Sequence, residues 1–229
     1  MTRPWQTLAR AATPRGELTL RRRGDADFLI ALGGRVIMTS AAHRSESRLA
    51  EAACAALGRR KRPRLLIAGL GMGYTLRAAL DALPAGARIE LAELEPSVAE
   101  WCRGPLAGLC AHALDDPRVR LRIEDVARPL ERAAAGVERF DAIVLDLFAG
   151  PGGDDDPVLG VEGLARAREA LADDGVLAVW SEAPDARFEK RLCKAGFAFE
   201  RERAGAGGLR HAVYVARVVP GRRARHLPL

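Results

Sequence analysis

One stretch limits what this chain can fold into more than any other. Leu65–Tyr74 reads LLIAGLGMGY, a short apolar run leading straight into glycines spaced G-x-G-x-G. A continuous apolar run of this length fits a strand covered on both faces, as in a parallel sheet. Glycine tolerates positive φ and carries no Cβ, so a ligand can approach the backbone closely. In open α/β sheets, ligands bind beyond the carboxyl ends of the strands, where strand order reverses.

The surrounding pattern supports a sheet of that kind. Residues 1–15 read as an irregular lead-in. Residues 17–22, 27–32 and 35–39 read as a small antiparallel unit, separated by Gly-Asp and Gly-Gly turn signals. SESRLAEAACAALG reads as a helix stopping at Gly58. From residue 64, strands (RLLIAG, RIELAE, RVRLRI, FDAIVLDLF, GVLAVWS) alternate with helical stretches. Such alternation implies parallel β-α-β units with right-handed crossovers. FAFERERA and HAVYVARVV, separated by GAGG, read as a closing antiparallel pair. The expected fold is therefore α/β and Rossmann-like, with a mostly parallel seven-stranded sheet, an antiparallel last strand and a small N-terminal β unit. The expected division is 1–48 for the lead-in and β unit, 49–219 for the Rossmann-like domain and 220–229 for a basic tail.

The dinucleotide fingerprint G-x-G-x-x-G would need glycine at position 74, which is tyrosine; here the third glycine is Gly73. That spacing is closer to proteins binding S-adenosylmethionine (AdoMet), which has no pyrophosphate to seat on a helix N-terminus. Glu93, twenty residues past Gly73, ends the next strand and can accept both ribose hydroxyls. Asp125 follows the third strand, where it can accept from an adenine amino group while the backbone N–H of Val126 serves a ring nitrogen. It also suits a helix cap, and the two roles are compatible. Asp146 ends the most apolar strand, which delivers its carboxylate to the mouth of the sheet, well placed for chemistry. Tyr74, Trp180 and Asp154, the first residue of the DDD run, are candidates for the acceptor side.

The segments LLIAGLGMGYTLRAAL, ELAELEPSV, DPRVRLRIEDVA and FDAIVLDLFAGPGG together resemble the spermidine synthase-like (polyamine aminopropyltransferase) branch of the class I AdoMet-dependent fold. The resemblance spans roughly residues 17–218. It implies Gly69, Gly71, Glu93 and Asp125 as nucleoside contacts, Asp146 as the catalytic group, and a homodimer. Two acids of the family pattern are replaced, by Met72 in the glycine turn and by Ala149 three residues after Asp146. The acid at position 72 is the family's partner for the ammonium of decarboxylated AdoMet. Its loss tilts the expectation toward intact AdoMet and methyl transfer to a small-molecule, amine-type acceptor. Aminopropyl transfer from decarboxylated AdoMet to putrescine or another polyamine is the alternative, and a non-catalytic nucleoside-binding subunit is the second.

Composition narrows the partners. The net charge is +6, but almost all of the positive charge is Arg, with lysine only at Lys61, Lys190 and Lys194. The arginine runs are short and lack interleaved aromatics, which disfavours a nucleic-acid interface. The four cysteines show no C-x-x-C spacing, so no metal site is expected. No apolar run reaches the ~20 residues of a membrane span, and the N-terminus lacks a secretory leader. The expectation is a soluble, cytoplasmic protein.

Overall fold

The computed structural model describes residues 3–136, 138–147, 156–204 and 211–219. The chain opens with four strands: β1 (Gln6–Thr13), β2 (Gly16–Arg23), β3 (Asp27–Leu32) and β4 (Arg35–Thr39). They form one antiparallel sheet in sequential order. β1 corrects the expected irregular lead-in. It is an edge strand, mostly exposed at its start, so its apolar alternation is weak. Helix α1 (Arg44–Leu57) follows and crosses the expected boundary at 48–49. It packs on the larger domain, against the elements at residues 74–82, 171–181 and 211–218.

The larger domain alternates β5 (Arg64–Ala68), α2 (Tyr74–Ala82), β6 (Arg88–Glu93), α3 (Pro96–Arg103), β7 (Val119–Ile123), α4 (Ala127–Ala135), β8 (Phe140–Leu145), α5 (Val161–Ala170), β9 (Leu171–Ser181) and α6 (Ala186–Lys194). It closes with β10 (Phe197–Ala204) and β11 (His211–Val218). The seven strands lie in the order β10-β11-β9-β8-β5-β6-β7. β11 runs antiparallel to both neighbours, and the β5–β9 pairings are parallel. This is the sheet expected from the sequence. The GAGG turn and the 220–229 tail lie outside the described residues.

Strand alternation divides the core into two layers. Leu65, Ile67, Ala142 and Val144 face α1, α2, α3 and the small sheet, where they meet Leu20, Ile30, Leu49 and Leu76. Leu66, Ile143 and Leu145 face the other way, toward Leu130, Leu164 and Phe188. The small sheet thus shares a core with the larger domain. Strand order reverses between the parallel neighbours β5 and β8, so the crevice beyond their carboxyl ends is the topological switch point. No helix among the described residues is long and apolar enough to cross a membrane.

Candidate active site

The corner after β5 is held by the sheet itself. Gly69 N–H donates to the Ala92 carbonyl and Asp146 N–H to that of Ala68, both at 2.9 Å, so residues 69 and 146 extend the ladder by one step. Gly69, Gly71 and Gly73 all have positive φ (91°, 53° and 84°). A side chain at Gly69 would overlap the backbone oxygen of Asp146. A Cβ at Gly71 would lie 2.8 Å from Met38 Sδ.

Beyond Gly69 opens a cavity of about 200 Å³, walled by Arg15, Glu93, Asp125, Val126 and Asp146 among others. Glu93, only 5% exposed, accepts the Leu70 N–H at Oε2 and the Glu95 N–H at Oε1, each at 2.8 Å. An ionised carboxylate offers about four lone-pair positions, so these bonds orient the group and leave capacity for a vicinal diol. Burial pushes its pKa up, opposed by these backbone N–H donors. Asp125 Oδ1 accepts the Ala127 N–H at 2.8 Å at the start of α4, so its capping role and its place at the cavity coexist.

A second cavity, about 720 Å³, lies between the two sheets. Met38, Glu46, Gly71, Asp146, Trp180 and His211 are among its walls. Asp146 and Arg15 line both cavities. Thr75 Oγ1 donates to Asp146 Oδ2 at 2.5 Å. Burial pushes the Asp146 carboxyl up to about 7; the charge of Glu46 adds to the rise, the Thr75 bond opposes it, and Glu93 contributes least. A carboxyl at that point is a far better proton acceptor near neutrality than an ordinary aspartate.

Several sequence candidates meet here and others do not. Gly69, Glu93, Asp125, Val126 and Asp146 share the smaller cavity, and Trp180 walls the larger one. Gly73 lines neither: a Cβ there would lie 2.7 Å from Cys110 Cβ, so its bareness serves packing. Tyr74 also lines neither. It stacks on His43, with centroids 4.2 Å apart, beside a separate hollow bordered by Arg77 and Asp81. Helix α2 starts at Tyr74 and carries this side chain away from the crevice. Asp154 lies outside the described residues; Asp156, last of the same run, caps the following turn and borders the smaller cavity.

Glu46, Thr75, Arg15 and His211 were not legible as site residues. Arg15, in the β1–β2 turn, reaches Glu95 at 3.5 Å across the two sheets. The one available signal was an acid, Glu46, in the first turn of an otherwise Ala- and Leu-rich helix. Among the described residues no group of three or more His, Cys, Asp or Glu side chains is placed to hold a metal ion.

A doubly wound sheet in this order, with a bare corner and an acid closing the adjacent strand, defines the Rossmann-like class I methyltransferase fold. Spermidine synthase from Thermotoga maritima superposes with a TM-score of 0.72 at 21% identity, covering 93% of this chain and 72% of that one. A spermidine synthase solved with the transition-state analogue AdoDATO gives 0.70 at 20% identity, with the same coverage. No protein-family model matches the sequence. Curated relatives do: the polyamine aminopropyltransferase of Mycobacterium tuberculosis is 34% identical over 172 residues, 73% of this chain. That of Pyrobaculum calidifontis is 34% identical over 116 residues, 49% of this chain and 39% of the relative. These relatives and structural neighbours fit the spermidine synthase-like family of this fold. The match spans only 31% of the length of the mycobacterial relative. The preference for methyl transfer, drawn from Met72, finds no support in these relatives, which are named for aminopropyl transfer. Met72 is fully buried and lines neither cavity.

Proposed function

We propose that this chain is a transferase that seats an adenosyl sulfonium in the smaller cavity and an amine in the larger one, and that it transfers an aminopropyl group from decarboxylated AdoMet to a polyamine-type acceptor. The observation that carries this reading is the position of Asp146, which borders both cavities. The names of the curated relatives support aminopropyl over methyl transfer. The larger cavity supports a cationic acceptor, because Glu46 and Asp146 border it with no ion-pair partner among the described residues, whereas Glu182 is paired with Arg35.

The chemistry is a displacement. The amine lone pair attacks the carbon next to sulfur, the C–N bond forms as the C–S bond breaks, and the bonding pair stays on sulfur as a neutral thioether. Holding the two reactants in line supplies most of the acceleration, since effective molarities of about 10⁵–10⁸ M are attainable for aligned groups. The acceptor enters as an ammonium ion and must give up a proton to attack; the Asp146 carboxylate takes it. Thr75 holds one oxygen of that carboxylate, and Glu93 holds the sugar.

Incubation with decarboxylated AdoMet and putrescine, followed by mass spectrometry, tests the reading. Spermidine and methylthioadenosine are the expected products. S-adenosylhomocysteine formed from AdoMet would instead establish methyl transfer. Tight nucleoside binding with no product from any amine would make the chain a non-catalytic binding subunit.

A further inference from the structure

We propose that Ser45 and His211 are positioning residues that fix the Glu46 carboxylate in the wall of the larger cavity, where it holds the ammonium group of the acceptor. This inference rests on the amine-acceptor reading above and adds a residue set to it.

The first observation is an unbalanced acid. Glu46 is 8% exposed and borders the cavity together with Asp146. The two arginines of that cavity are engaged elsewhere, Arg35 with Glu182 at 3.2 Å and Arg15 with Glu95 at 3.5 Å. Among the described residues no cation pairs with Glu46 or Asp146. A buried carboxylate without a counter-charge is costly, and a cationic acceptor is the group that removes the cost.

The second observation is how Glu46 is held. Ser45 Oγ donates to Glu46 Oε2 at 2.5 Å. A hydroxyl has one proton, so toward His211 the same oxygen can only accept. His211 Nδ1 lies 3.0 Å from it and must therefore carry the proton. The chain His211 Nδ1–H to Ser45 to Glu46 thus has one direction, with the proton on Nδ1. Trp180 packs edge-on against the His211 ring, with centroids 5.0 Å apart. Thr75 ties the two acids together, since its Oγ1 donates to Asp146 and also approaches the Glu46 carbonyl at 3.3 Å. Elements α1 and β11 thus orient the Glu46 carboxylate, with Trp180 of β9 against the His211 ring and Thr75 of α2 at the Glu46 backbone.

Calorimetric titration of putrescine into the full chain saturated with methylthioadenosine tests this. Ser45→Ala and His211→Phe should weaken putrescine about tenfold, the loss expected for a disturbed charge-assisted contact. Glu46→Gln should weaken it at least as much. His211→Asn, whose amide N–H stands in for Nδ1–H, should recover most of the loss. The affinity for methylthioadenosine should stay at the parent value throughout, which also reports a retained fold. If Ser45→Ala fails to fold, the His211→Phe and His211→Asn pair decides alone. Putrescine affinity unchanged in His211→Phe, or equally poor in His211→Asn, would overturn the inference while leaving the amine reading intact. A parent chain that binds methylthioadenosine but no amine would overturn both.

Discussion

The backbone oxygen of Asp146 occupies the place where a side chain on Gly69 would begin. The two residues follow adjacent parallel strands, β5 and β8, at the point where strand order reverses. Asp146 borders both cavities and Gly69 the smaller one, so the bare corner and the Asp146 carboxylate form one construction.

Gly69→Ala is therefore expected to be damaging twice over. The residue sits at φ 91°, a region costing about 1–3 kcal/mol for a side chain, and the new Cβ meets backbone that cannot move cheaply. Urea denaturation should show a loss of about 2–5 kcal/mol, and methylthioadenosine binding should vanish in calorimetry.

Asp146 makes both rate and stability depend on pH. With its carboxyl near 7, kcat/KM should climb as pH rises toward 7 and level off above it. Stability runs the other way. Between about pH 4 and 7 the unfolded chain has released this proton and the folded chain keeps it, so stability falls as pH rises. Its favourable contribution is complete below the unfolded value and lost through the folded one. Asp146→Asn should lack that slope and exceed the parent above pH 7 by on the order of a few kcal/mol, while losing turnover. Denaturation curves of both proteins at pH 5 and pH 8 check the sign.

Thr75→Val removes the bond that lowers the Asp146 pKa. The acid limb of the pH–rate profile should move to higher pH, with a stability loss of about 1 kcal/mol for the missing hydrogen bond. An acid limb that stays in place would show that Thr75 does not tune the carboxyl.

Glu93→Gln places an amide where two backbone N–H groups, of Leu70 and Glu95, need acceptors. One of its two ends must then face a donor with a donor. Methylthioadenosine affinity should fall about 10- to 100-fold, the range for losing hydrogen bonds to a charged group. Putrescine should still bind, because the larger cavity is bounded by other residues.

The legibility of the site followed the range of the interactions involved. Glu93 and Asp146 were readable because each simply follows a strand whose apolar run is visible in the sequence. β1 was not, because an edge strand with one wet face leaves little periodicity. Gly73 and Tyr74 looked like parts of the ligand corner, yet α2 turns both away from it, one toward Cys110 and the other onto His43. His211 and Ser45 are 166 positions apart, and nothing local to either announces the other.

By itself the amino-acid order determined the succession of strands and helices, the bare corner and the acids that end β6 and β8. Those features rest on residues adjacent in the chain, where side-chain period and backbone freedom act directly. Only the tertiary structure decided that Glu46, Thr75 and His211 gather near the Asp146 carboxylate, that Asp146 borders two cavities, and that Met72 belongs to the core. These depend on how α1 and the small sheet pack over the carboxyl edge of the large one, a meeting of distant surfaces that no local pattern encodes.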